Sequence, residues 1–315
     1  MKQIGEKQKH GNQAGSMKYN NKEKRGVYMI EYLGIDIGGT NIRVGAIDEK
    51  ERLVCYSSQK TLENVKTAND LYKKIKEMVK GITDYETVKR IGVGYPGAID
   101  EKGNITTSRN IPVFKNFPLK EKLEKDFKTE VIIENDARVA ALGEATKGAG
   151  KNSKSICYVT ISTGLGGGVV IDNKIYKGDT NIAGYFSRMM LDSEDIAEHR
   201  LSGTYLIQKA NREFFLGVNN VQDIFLLAKK NDAAKKILED FKKYLTMLLL
   251  NISITLNPET IVIGGGIMNA KKYFFEEVKE IFKAKAHSFA KETNIVQAKL
   301  KEPGIIGACL MAKNK

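Results

Sequence analysis

The sequence predicts an α/β protein built as two domains with a cleft between them, and three observations carry that prediction. The chain has 315 residues, 42% of them hydrophobic, which is apolar material for two cores. From Glu31 onward, apolar runs alternate with glycine-rich turns. The opening pattern also recurs. GAIDEK at 45–50 falls on VVIDNK at 169–174, and the turn GGT at 38–40 then falls on STG at 162–164. Two hairpins of one design, each with a glycine-rich first turn and an Asp-X-Lys second turn, imply two domains on one plan.

The elements follow in order. YLGIDIGG, IRVGAID and RLVCYSSQK read as a three-strand meander. Leu71, Ile75, Met78, Val79 and Ile82 recur at helical spacing, RIGVGYPG is a strand running into a Pro-Gly turn, and Leu119, Leu123 and Phe127 mark a second amphipathic helix. TEVIIEND is the next strand, and the alanine-rich ARVAALGEATKG after it is a helix at the hinge between domains. Beyond the second hairpin, 194–258 is mainly helical, TIVIGGG is a strand, and Val278, Ile281 and Phe282 mark a closing helix. The division expected is a basic tail over 1–29, a first domain over 30–134 plus 303–315, and a second over 135–302 with a helical insertion.

The formal charge of +13 is uneven. Residues 1–29 hold seven Lys or Arg against two acids, and the later lysines alternate with glutamates, as in KEKLEKDFK. This is a lysine-rich surface, and no nucleic-acid groove is expected. The tail has no apolar run, so it reads as disordered, neither signal nor anchor. YLTMLLLNISITL at 244–256 is too short and too polar to span a bilayer. Cys55, Cys157 and Cys309 sit far apart among apolar neighbours, as reduced core thiols of a cytoplasmic protein would. No membrane partner is expected, and the expected assembly is a homodimer.

Several segments have the makings of a phosphate site. Gly38, Gly39 and Thr40 offer backbone N–H groups and a hydroxyl at a turn where a side chain would obstruct approach. Asn41 follows, Asp36 lies just before, and Thr163 and Gly164 repeat the arrangement. The motif GxxxxGK[ST] is absent, and IGGTN feeds a strand instead of a helix, which excludes a Walker loop and a dinucleotide fingerprint. Asp136 ends a strand and precedes a helix, a position that suits either a helix cap or a cleft-facing base.

LGIDIGGTNIRVGAID, ENDARVAALGE, ISTGLGGGVVID and IVIGGGIM, in this order, resemble the ROK family of sugar kinases and repressors. The resemblance implies the actin-like ATPase (ribonuclease H-like) fold with an interdomain cleft. It further implies an ATP-dependent phosphotransferase acting on a hexose, with ATP and Mg2+ as cofactors. By the same resemblance, Asp136 is the general base that accepts the sugar hydroxyl proton. The resemblance makes Gly97 and Asn110 sugar contacts and Gly264, Gly265 and Gly266 the adenosine-side turn. By position, Asn135 beside Asp136 is a further polar group to converge on the sugar, and Asp36 is placed to reach Mg2+ through water. Glucose, phosphorylated at its 6-hydroxyl, is the first substrate to test. N-acetylmannosamine is the second, and a weakly catalytic sugar- or nucleotide-binding sensor is the alternative class. A repressor is disfavoured, because a tail without helical periodicity cannot form a helix-turn-helix.

One segment departs from the family. Where an AGExGHM stretch would supply a sugar-binding glutamate and a histidine, this chain reads AGYFSRM, with Tyr185 and Arg188 in those places. The following cysteine loop is missing, and recognisable sequence resumes at EHRLSG, which contains Glu198. Tyr185, Arg188 and Glu198 are therefore the candidates for rebuilt sugar contacts. With His10, His199 and His287 scattered and no nearby Cys, no zinc site is expected.

Overall fold

The computed structural model describes residues 18–19, 30–82, 85–100, 103–107 and 110–315. Its first sheet is formed by β1 (Lys18–Tyr19), β2 (Tyr32–Ile37), β3 (Asn41–Ile47), β4 (Leu53–Lys60), β5 (Arg90–Tyr95) and β6 (Glu130–Asn135), in the order β1-β4-β3-β2-β5-β6. Helices α1 (Ala68–Lys80) and α2 (Leu119–Phe127) belong to this half. α1 opens on a capping box in which Thr67 and Asp70 exchange side-chain and backbone hydrogen bonds. The second sheet contains β7 (Ser155–Ile161), β8 (Leu165–Ile171), β9 (Lys174–Tyr176), β10 (Thr260–Gly264) and β11 (Asn294–Gln297), in the order β11-β10-β7-β8-β9.

Without β1, the two sheets share one topology. In each, a three-strand antiparallel meander continues into two parallel strands on the other side of its first strand. The recurrence in the sequence is thus a recurrence of architecture, on the plan of an actin-like ATPase. The second turns differ, however. Asp172 and Asn173 form a two-residue turn with φ of +49° and +58°, whereas β3 and β4 are joined by a longer loop closed between Asp48 and Arg52.

Helices α3 (Asp136–Lys147) and α9 (Pro303–Lys313) join the halves. α9 packs on β2 and β5, α3 packs on β7 and β8, and the two helices pack on each other. Glycine makes the close approach possible: a β-carbon on Gly92 would lie 2.0 Å from the Ala308 carbonyl oxygen, and one on Gly307 would lie 1.8 Å from that of Val139. The crossing is pinned by Glu144, which is 0% exposed. Its carboxylate accepts hydrogen bonds from the backbone N–H groups of Ala149, Lys299 and Leu300 at 2.8–3.1 Å.

The remaining helices, α4 (Ala197–Leu201), α5 (Gly203–Arg212), α6 (Val221–Leu227), α7 (Asp232–Leu256) and α8 (Phe275–Lys285), cover the second sheet around a core including Phe225, Phe241 and Phe274. The apolar segment 244–256 lies within α7, and no helix among the described residues is long and apolar enough to cross a membrane. The stretch after IVIGGG is a 3-10 helix over Gly266–Tyr273. The tail falls outside the described residues except at Lys18 and Tyr19. These two residues pair antiparallel with Tyr56 and Cys55 along the edge of β4. Cys55, Cys157 and Cys309 are buried free thiols, and burial pushes Cys157 up to about 12.

Candidate active site

A cleft of about 1560 Å³ collects all the sequence-predicted positions. Asp36, Gly38, Gly39, Thr40 and Asn41 line one wall, Thr163 and Gly164 with Gly264, Gly265 and Gly266 another, and Gly97, Asn110, Asn135, Asp136, Tyr185, Arg188 and Glu198 the remainder. Arg109, next to Asn110, lies outside the described residues.

The two turns at 38–40 and 162–164 are held differently. Gly38 donates its N–H to the Asn41 carbonyl, and Thr61 donates its hydroxyl to the Gly38 carbonyl at 2.5 Å. In the second turn, Ser162 donates N–H to the Gly164 carbonyl, while the Ser162 and Thr163 carbonyls accept from Gly203 and Thr204 at the start of α5. The Ser162 side chain is used: its Oγ accepts from the Gly266 N–H at 2.7 Å, joining the second turn to the third glycine turn. Gly265 has φ of +87°, and a β-carbon there would lie 2.3 Å from the Ile161 carbonyl oxygen. That glycine is required by the chain's own backbone, whatever binds above it.

Asp36 and Asp136 are the two aspartates of the cleft, which Glu198 and Glu302 also line. Arg43 Nη1 lies 3.2 Å from Asp36 Oδ2, and Arg43 Nε lies 3.0 Å from Glu302. A β-carbon on Gly304 would approach the Asp36 carboxyl carbon to 2.6 Å, so this carboxylate sits against the first turn of α9. Burial raises the Asp36 carboxyl above the usual range, and Arg43 opposes the shift. Asp136 is only partly open to the cleft; burial, reinforced by the negative charge of Asp36, pushes its carboxyl up to about 7.

The cap of α3 is Asn135 and not Asp136, a correction to the capping alternative. Asn135 Oδ1 accepts from Ala137 and Arg138 N–H at 3.1 and 3.3 Å. Its carbonyl is therefore committed to the helix, and its Nδ2 reaches the Gly97 carbonyl at 3.5 Å. Gly97 itself is packed: a β-carbon there would lie 2.2 Å from the Thr107 carbonyl oxygen. Asn110 lies beside the first turn, 3.2 Å from a β-carbon built on Gly39. Glu198 accepts from the Leu165 N–H at 3.2 Å and approaches Gly164, which places it against the second turn.

Two networks were missed in the sequence. The segment after Leu191 is pinned by Asp192, which accepts from the Tyr244 hydroxyl at 2.8 Å and pairs with Arg200 at 3.0 Å. These contacts, the Tyr244 hydrogen bond foremost, hold its carboxyl well below the usual range. Among the described residues no group of three or more His, Cys, Asp or Glu could hold a metal ion. The second network is Glu134 with Arg138, an opposite-charge pair four residues apart between the apolar runs VII at 131–133 and VAAL at 139–142, which is the signal that could have exposed it.

The ROK family model matches residues 32–315. The chain belongs to the ROK family. Its relatives include a glucokinase of Halalkalibacterium halodurans, 31% identical with 81% of this chain and 86% of the relative covered. An N-acetyl-D-glucosamine kinase of Photobacterium profundum is 30% identical, with 87% of this chain and 96% of the relative covered. Among solved structures, a ROK glucokinase from Streptomyces griseus in complex with glucose and AMPPNP superposes with a TM-score of 0.74 at 25% identity, covering 90% of this chain and 99% of that one.

Proposed function

We propose that this chain is an ATP-dependent hexose kinase, with glucose phosphorylated at its 6-hydroxyl as the leading reaction and N-acetylmannosamine as the second acceptor to test. One observation carries the reading. A carboxylate pushed up to about 7, Asp136, stands at the start of α3 in a cleft walled by two glycine-rich turns whose backbone suits polyphosphate. A base with that affinity takes a proton from an acceptor hydroxyl near neutral pH. The alkoxide oxygen attacks the γ-phosphorus, and ADP leaves with the bridging oxygen.

Gly38, Gly39, Thr40, Asn41, Thr163 and Gly164 are assigned to the phosphates, Gly264 to Gly266 to the adenosine side, and Gly97, Asn110, Tyr185, Arg188 and Glu198 to the acceptor. The donor set fits Mg2+, a hard cation commonly held by one or two carboxylates together with substrate phosphates. Asp36 would hold it through water, and the ion would offset charge on the phosphate oxygens. Supporting the acceptor class are relatives named as kinases of glucose and of an N-acetylated hexosamine. The test is ADP release with MgATP over a panel of hexoses and N-acetylhexosamines. Sugar-dependent turnover supports the kinase; calorimetric sugar or nucleotide binding without turnover identifies a sensor instead.

A further inference from the structure

Arg138 is 1% exposed, yet it carries a guanidinium with five donors. It lies two residues beyond Asp136 on α3, and its partners lie mostly outside that helix. Nε and Nη2 donate to the Ala183 carbonyl at 3.2 and 3.0 Å, and Nη2 donates to the Asn181 carbonyl at 2.5 Å. Nη1 donates to Glu134 Oε1 at 3.1 Å; the same oxygen accepts from the Asn135 N–H at 2.8 Å, and Lys177 pairs with Glu134 Oε2 at 2.6 Å. The end of β6, the first turn of α3 and the loop 177–185 are thereby tied to one buried cation.

That loop delivers Tyr185 to the cleft. The Tyr185 ring centre lies 5.2 Å from the Arg138 guanidinium carbon, within cation–π range. The preceding Gly184 has φ of +83°, and a β-carbon there would lie 2.9 Å from the Gly168 α-carbon, so the loop is seated tightly against β8. We propose that Arg138 is a positioning residue for the acceptor: by gripping the Asn181 and Ala183 carbonyls and facing the Tyr185 ring, it sets the aromatic wall of the pocket that Asp136 serves. The assignment of that pocket to a hexose rests on the function proposed above; the placement of Tyr185 by Arg138 does not. An aromatic face beside the acceptor suits the C–H face of a pyranose, and lysine cannot reproduce the fork.

The test joins kinetics to an optical readout independent of turnover. Arg138→Lys is expected to raise the acceptor KM about tenfold, the scale of one lost charge-assisted hydrogen bond, with kcat and the KM for ATP within about twofold. Tyr185→Ala should raise the acceptor KM similarly, and the double variant should be no worse than either single one. The natural sequence has no tryptophan, so Tyr185→Trp introduces a sole indole, whose emission should shift when Arg138→Lys is added. If Arg138→Lys does not fold, Glu134→Gln, which removes the carboxylate partner of Arg138, is read by the same measurements. Additive effects, a fall in kcat with melting temperature at unchanged acceptor KM, or unaltered emission overturns the proposal. If no hexose is turned over, the functional reading fails, and the emission shift alone then decides the positioning role.

Discussion

Asn135 and Asp136 are adjacent but have separated tasks: Asn135 caps α3 with its Oδ1, while Asp136 spends one carboxylate oxygen on the Ala137 N–H at 2.8 Å. Asp136→Asn is therefore expected to keep the fold and nucleotide binding while lowering turnover by ~10²–10⁴. Asn135→Ala should instead destabilise by about 1 kcal/mol. Near-parental turnover in Asp136→Asn, measured by ADP release, would refute the assigned base.

The raised carboxyl of Asp136 predicts a pH profile. A base is active when deprotonated, so kcat/KM should fall about tenfold per unit below an apparent pKa near 7. Stability runs the opposite way. A folded pKa above the unfolded value of about 3.9 favours the native state at low pH, and that contribution is lost as pH rises toward 7. Asp136→Asn should thus be more stable than the parent at pH 8, by roughly 1–3 kcal/mol, with the gap closing below pH 5. Chemical denaturation at the two pH values measures it.

Ser162 links two turns assigned to ATP through the Gly266 N–H. Ser162→Ala should raise the KM for ATP about two- to fivefold, within the net worth of a single hydrogen bond, and leave the acceptor KM unchanged. A change confined to the acceptor would reassign the turn.

The Asp192–Tyr244 hydrogen bond pins the segment that leads into α4. Tyr244→Phe should cost about 1 kcal/mol and lower the melting temperature by a few degrees. A strong chelator should leave the melting temperature of the parent unchanged; a marked fall would reveal a structural metal.

Glu144 tests the crossing of α3 and α9. Glu144→Gln places an amide NH2 among backbone N–H donors from Ala149, Lys299 and Leu300, so about 2–4 kcal/mol of stability should be lost. Denaturant unfolding with an unchanged m-value would report it cleanly.

The sequence by itself determined the succession of strands and helices, the repeated hairpin plan, the glycine turns and the place of Asp136 at the junction of β6 and α3. These features are local: they depend on alternation, helical spacing and residues that only a turn accepts. It also carried the departure at Tyr185 and Arg188, because a missing residue type is visible in a string. Tertiary structure decided what holds the site. Arg138 finds its carbonyls at Asn181 and Ala183, Glu144 finds Lys299 and Leu300, Ser162 finds Gly266, and Asp192 finds Tyr244. These partners are far apart in the chain, and nothing in the local pattern of either member names the other. Sheet register and the approach of α3 to α9 bring them within hydrogen-bonding distance, and a buried polar group is satisfied only by what the fold delivers to it.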